Sequence, residues 1–318
     1  MALGGAGAWY YRGPHEAGRR SAVFAVRAPD YQAPLADIIL RGLREIGWDS
    51  GRVRGKTVLL KPNLVEPNRA HGHINTHPLF VRAAAECFLR LGAGRVLVAE
   101  GAGHCRDALM VLEESGLLEV LREDRIPFVD LNSDDYYTTP NLGRLTRLKT
   151  LTLPATLRQA GLVVSLPKLK THHWTGVTLS MKNLFGVMPG AVYGWPKNVF
   201  HQEGIHESIL DICTTVKPAL AIVDGVTGME GDGPIMGTPV QSGVIVAGDN
   251  LAAVDATCSR LMGVNPHKIG YLAAAAGWLG PIREVHIAQR GEAPAALRHD
   301  FQLLDQVPAQ RGIRLAKG

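Results

Sequence analysis

The sequence is short of paired cysteines. Its four, Cys87, Cys105, Cys213 and Cys258, lie far apart and include no C-x-x-C pair. That argues against a zinc ribbon and against an intrinsic ferredoxin-type iron–sulfur cluster, and leaves reduced, mostly buried thiols in a cytoplasmic protein as the expectation. No apolar stretch reaches membrane-spanning length. Met1–Gly7 has no basic region followed by a sustained apolar core, so neither membrane insertion nor a secretory signal is expected. The net charge is only +5 and the lysines and arginines are scattered, with no basic run of the kind that forms a nucleic-acid arm. Nucleotide signatures are missing too. No Gly-Lys-Ser/Thr follows the glycines between residues 225 and 237, so there is no P-loop, and the acids there do not have EF-hand spacing. Glu100-Gly-Ala-Gly-His104 lacks the third glycine of a dinucleotide fingerprint.

What is present is a 318-residue chain, 46% hydrophobic and 20% charged, which is enough for one large domain or two modest ones. Short apolar runs alternate with amphipathic stretches. Strands are expected at residues 22–28, 57–61, 95–100, 126–130, 161–166, 220–224, 243–248 and 285–288. Helices are expected over 31–46, from Thr76 as N-cap to Leu91, over 107–121 with Gly116 as an interruption, and over 201–216, 250–262 and 267–276. Residues 136–149 read as a polar excursion with hairpin character, and 225–237 as a long glycine-rich turn. The pattern implies an α/β fold with a mainly parallel sheet flanked by helices, in two lobes around a cleft. The expected division is a flexible arm at 1–20, an N-terminal lobe at 21–160, a C-terminal lobe at 161–300 and a tail at 301–318.

In such sheets ligands sit beyond the carboxyl ends of strands. Here those ends carry Lys61-Pro-Asn63, Glu100-Gly101, Asp130, Pro167-Lys168, Asp224-Gly225 and Gly248-Asp249. The densest chemistry lies between Ser165 and Gly190. Lys168, Lys170 and Lys182 are accompanied by Thr171, His172, His173, Ser180, Asn183 and Gly186, and the segment contains no acid. A packed core has no use for that composition, because buried charge is costly unless paired. The simplest reading is a cleft for a small anion. Lys61, Asn63, Lys168, Thr171, Ser180, Asn183 and Gly186 are the binding candidates. Lys170, Lys182, His172 and His173 are the catalytic ones, since lysine among other cations can lose its proton and histidine can exchange one. Asp224, Glu230 and Asp255 could supply oxygen ligands to a divalent cation or orient a lysine. His71, His73 and His77 have spacings that can suit a metal, but read better as a surface loop.

Several blocks occur in order: Val58-Leu-Leu-Lys-Pro-Asn-Leu64, Thr76-His-Pro78, Glu100-Gly101, Leu166-Pro-Lys-Leu-Lys-Thr-His172, Thr178-Leu-Ser-Met-Lys-Asn-Leu-Phe-Gly186, Asp224 to Pro234 and Ala253-Val-Asp-Ala256. As a set they resemble the domain-of-unknown-function 362 family, over roughly residues 23–291. Some members of that family carry ferredoxin-like cysteine clusters; this chain lacks those cysteines. A further likeness runs to lactate racemase-type proteins, in which a nickel-pincer cofactor is attached to a lysine. His172, Lys182 and Pro189-Gly190 resemble that layout.

The expectation is therefore a cytoplasmic enzyme acting on a small carboxylate or phosphate compound by proton transfer, of isomerase or lyase type, with metal assistance and homo-oligomer formation left open. One alternative is an oxidoreductase component using a bound flavin, a metal or a partner iron–sulfur protein. Another is a non-catalytic anion-binding protein.

Overall fold

The computed structural model describes residues 20–70, 72–103 and 107–316. The expected arm, except for Arg20, lies outside the described residues, as do His71, His104 and Cys105.

Ten strands form one sheet: β1 (Ser21–Arg27), β2 (Thr57–Pro62), β3 (Arg95–Glu100), β4 (Phe128–Asp130), β7 (Leu162–Leu166), β8 (Lys168–His172), β9 (Gly176–Thr178), β10 (Leu220–Glu230), β11 (Thr238–Gly248) and β12 (Ile287–Gly291). β5 (Tyr136–Pro140) and β6 (Thr150–Pro154) make the expected hairpin as a separate antiparallel pair. The main path runs β12-β1-β11-β10-β7-β2-β3-β4. Pairing is parallel from β10 through β7, β2 and β3 to β4, and antiparallel on both sides of β11. The sheet is thus mainly parallel and flanked by helices, as the alternation of elements implies.

The strands are apolar on both faces because both faces are covered. Phe24, Val58, Leu60, Val98, Leu166 and Ile222 face a layer that includes the helices Leu35–Glu45 and Pro78–Arg90. Their neighbours Val23, Leu59, Leu97, Ala99, Val163 and Val223 face the other layer, with the helices Ile205–Val216 and Leu251–Leu261. A period of two along each strand divides one apolar run between two cores.

One sheet crosses the expected boundary between the lobes. β2, from the first half, pairs with β7, from the second, over Val58–Pro62 and Leu162–Leu166, so the boundary at 160/161 falls between adjacent strands of one sheet. The expected turn at 225–237 is also largely strand. β10 continues through Gly225 and Gly228 to Glu230 and pairs with β11. Gly228 is needed there because a β-carbon would lie 2.7 Å from the Leu169 carbonyl oxygen of β8. The helix expected over 107–121 is divided at Gly116 (φ 74°) into Ala108–Glu114 and Leu117–Glu123. The one expected over 201–216 breaks at Gly204. His77, not Thr76, caps Pro78–Arg90: its Nδ1 accepts from Leu79 N at 3.2 Å, while the Thr76 hydroxyl donates to Leu166 O. Among the described residues, no helix is long and apolar enough to cross a membrane.

Candidate functional site

β2 and β3 end side by side, and their last charged residues meet there. Lys61 and Glu100 are both buried, with Nζ 2.6 Å from Oε2. An ammonium has three hydrogens to donate, and Lys61 spends them on Glu100, Pro62 O (2.6 Å) and Asn183 Oδ1 (3.0 Å). The carboxylate is equally occupied, accepting also from Leu64 N and Gly101 N. Burial pushes the Lys61 pKa down, and Glu100 opposes that shift.

After β7, Pro167 separates two strands, and β8 carries the lysine–histidine run into a hairpin with β9. The connecting turn is His173-Trp174-Thr175, closed by Gly176 at φ 79°. Side chains on β8 alternate. Lys170 and His172 border a cavity of about 110 Å³ above the ends of β2 and β3, whereas Thr171 turns away and donates to Gly231 O at 2.8 Å. The short helix Ser180–Asn183 adds Lys182 and Asn183 to the same cavity. A segment from beyond Gly190 adds Pro196, Lys197 and His201.

Four lysines (Lys61, Lys170, Lys182, Lys197) therefore surround the space, against one carboxylate, Glu100, which is already paired. Lys170 donates to the carbonyls of Ile74 (2.9 Å) and Pro234 (3.2 Å), and burial together with Lys168, Lys182 and Lys61 holds its pKa well below the ordinary value. Lys197 bonds Asn132 Oδ1, and burial lowers it to about 8. Lys182 lies 4.0 Å from the centroid of the Phe185 ring; burial and the Lys61 charge lower it to about 7. Two buried atoms on the lining, Asn63 Oδ1 and Thr178 Oγ1, have no hydrogen-bond partner among the described residues. Orphaned polar atoms are rare in folded proteins, and here both sit where a ligand would lie.

The adjacent histidines are held in opposite tautomers. Trp174 N and Thr175 N donate to His172 Nδ1 (3.0 and 3.4 Å), so the neutral ring carries its hydrogen on Nε2. Burial and the surrounding cations keep its pKa well below the ordinary value. His173 Nδ1 lies 3.0 Å from Gly233 O, which can only accept, so Nδ1 carries the hydrogen and Nε2 keeps a lone pair. The rings are 4.9 Å apart, and both border the cavity. One adjacent pair thus offers a donor and an acceptor.

Of the residues singled out in the sequence, Lys61, Asn63, Lys170, His172, His173, Lys182, Asn183 and Gly186 line this cavity. Lys168, Thr171 and Ser180 do not. Lys168 pairs with Asp224 at 2.9 Å and donates to the Tyr31 hydroxyl at 2.8 Å. The Ser180 hydroxyl donates to Asp255.

The three acids considered for a metal are held in separate settings. Asp224 accepts from Lys168, Tyr31 and His77 N. Asp255 accepts from Ser180 N (2.8 Å), Met181 N (3.0 Å) and Tyr271 OH (3.3 Å). Glu230 accepts from Gln302 N. Among the described residues, no cluster of three or more His, Cys, Asp or Glu side chains is placed to hold a metal ion. Asp224, Glu230 and Asp255 thus do not converge on one cation. His73 and His77 do not form a surface loop either: His73 is buried near Gly237 O, and His77 stacks on Tyr31 at 3.6 Å.

Trp174, Thr178, Phe185, Lys197 and His201 line the cavity without having been candidates on sequence grounds. Lys197 and His201 share a segment with Trp195 and Pro196, and that mixture of aromatic, proline and basic residues is the only signal they left.

A family model described as "Domain of unknown function (DUF362)" matches residues 58–260. A thylakoid-associated protein of Synechocystis sp. is 30% identical over 260 residues, covering 79% of this chain and 78% of that one. Two solved structures are more distant. The lactate racemase apoprotein of Thermoanaerobacterium thermosaccharolyticum has a TM-score of 0.44 at 13% identity, covering 76% of this chain and 57% of its own. A Thermotoga maritima protein has a TM-score of 0.35 at 12% identity, covering 71% of this chain and 58% of its own. The chain thus spans less than two thirds of either structure's length.

Proposed function

This chain belongs to the DUF362 family, and on that footing we propose that it is an enzyme that binds a small carboxylate- or phosphate-bearing molecule in the lysine-lined cavity and moves a proton on it, as an isomerase or lyase does. The observation that carries the reading is the surplus of lysines over acids around a small space that also holds two unsatisfied polar atoms. A concave site with an excess of basic groups strengthens attraction for an anion.

In this reading Lys197 and protonated Lys182 hold the negative charge. His172 is a permanent neutral donor through Nε2. Its Nδ1 is occupied by two backbone N–H groups, so it serves to polarise a substrate oxygen and not to take up a proton. His173 takes the proton, since its Nε2 is the basic position and Gly233 O fixes the ring through Nδ1. Asn63 Oδ1 and Thr178 Oγ1 meet substrate polar hydrogens or oxygens. Lys61 and Glu100 form a neutral scaffold beneath.

The test is proton exchange in D2O, followed by NMR, with two- to four-carbon hydroxy and oxo acids. The protein should catalyse exchange at the carbon next to the carboxylate for at least one acid. His173→Gln should reduce that rate about 100-fold or more, while sulfate binding persists. Binding without exchange across the whole set would make the chain a non-catalytic anion receptor and sink the proposal.

A further inference from the structure

We propose that Lys182 is a carbonyl-capturing residue whose Nζ forms a covalent imine with a small oxo acid held in the cavity. This rests on reading the cavity as an anion site, and it names the substrate class. The argument begins with what the four cavity lysines do. Lys61 spends its hydrogens on Glu100, Pro62 O and Asn183. Lys170 is tied to two carbonyls and Lys197 to Asn132. For Lys182 the described residues provide no hydrogen bond or ion pair; its nearest neighbour of note is the face of Phe185. A half-buried ammonium on a cavity wall with nothing to accept its hydrogens sheds a proton easily. The Lys61 charge pushes the same way, bringing the pKa to about 7. An appreciable share of free amine is therefore present at neutral pH, which is the state that attacks carbonyl carbon.

The backbone beneath it is fixed. Asp255 accepts from both Ser180 N and Met181 N, so the short helix bearing Lys182 is clamped at its start. The chemistry balances within the site. The amine lone pair attacks the carbonyl carbon and a C–N bond forms. The carbonyl oxygen gains the proton that the attacking nitrogen gives up, giving a carbinolamine; it then leaves as water with a second proton, the equivalent of the one the Lys182 ammonium released to solvent on becoming the free amine, and the protonated imine remains. No electrons are exchanged with any third party. His172 Nε2–H is a donor to the oxygen, and His173 Nε2 is an acceptor for the proton the amine gives up. The carboxylate of the oxo acid falls to Lys197. In a three-carbon 2-oxo acid the protonated imine then draws electrons from C3, the carbon on the side away from the carboxylate, and eases loss of a proton there. The cavity, at about 110 Å³, suits acids of two to three carbons.

The experiment uses the whole chain with glyoxylate and cyanoborohydride at pH 7.5, read by intact mass and peptide mapping. One N-carboxymethyl group on Lys182 is expected. Sulfate should slow its appearance. Lys182→Arg and Lys182→Met, each checked for a wild-type-like melting temperature, should lose the adduct by at least tenfold. A parallel melting experiment with glyoxylate and with sulfate separates the two ideas. Stabilisation by both anions without an adduct, or with adducts distributed over other lysines, overturns the imine and leaves the anion site standing. No stabilisation by either anion overturns both.

Discussion

Gly186 is where the site leaves no room for a side chain. A β-carbon there would overlap the Glu100 carboxylate and fall 2.7 Å from Lys61 Nζ. Separating that buried pair leaves each charge uncompensated, which costs about 3–5 kcal/mol when a partner is removed outright. We expect Gly186→Ala to lose roughly 2–4 kcal/mol of unfolding free energy in urea; a loss below about 0.5 kcal/mol would mean that the pair tolerates separation. Lys182 and Lys197 make a second expectation at this scale. With pKa values of about 7 and about 8, both lose positive charge as pH rises through that interval. Affinity for sulfate, whose own charge is constant, should fall about tenfold or more between pH 6 and pH 9 in calorimetric titration. A flat profile would show that neither lysine faces the anion. Single residues are also where the sequence said least. His172 and His173 read alike on the page, and only the backbone N–H groups of Trp174 and Thr175 and the Gly233 carbonyl give them opposite tautomers. Lys197 was not among the sequence candidates, because nothing local announces its burial beside Asn132.

Among elements, the four-residue helix Ser180–Asn183 depends on one carboxylate. Asp255 satisfies two of its first backbone N–H groups and the Ser180 hydroxyl, a capping role supplied from the distant helix Leu251–Leu261. Asp255→Asn presents an N–H where an acceptor is needed. We expect a loss of about 1–3 kcal/mol, with a displaced Lys182 and slower trapping of glyoxylate. The pH dependence has a definite sign. Burial raises the Asp255 pKa from 3.8 to about 7, so the folded chain holds this proton more tightly than the unfolded one. Its contribution to stability is full below about pH 4 and is lost as pH rises to about 7. The difference in stability between wild type and Asp255→Asn should therefore change across that window and flatten above it, as urea titrations at stepped pH would reveal. In the sequence Asp255 stood out as a candidate cation ligand or lysine-orienting acid; it is buried, and its partner Ser180 lies 75 residues away and left no local trace. The strands were legible because runs such as Val58-Leu-Leu60 have no other use. The extent of β10 was not, because glycine marks turns more often than the close strand approach that Gly228 serves.

For the whole molecule, the decisive fact is that β2 and β7 are neighbours. Residues 21–160 cannot complete a sheet without the strands that follow. A fragment ending at 160 should fail to fold, and the intact chain should unfold in one denaturant transition with coincident far-UV and tryptophan signals. Two resolved transitions would show the expected lobes unfolding separately. The alternation of strands and helices made the α/β class readable. The strand order was not, because it depends on which apolar edges meet after hundreds of ångströms of chain have been folded back.

The uneven charge of the cavity has a consequence at the bench. If the cavity takes anions as proposed, its surplus of lysines over a single, already paired acid should draw in chloride, acetate or phosphate from ordinary buffers as surrogate occupants. Preparations made in concentrated buffer anions should then look inert and melt at higher temperature, and desalting into a bulky zwitterion should uncover whatever chemistry the protein performs.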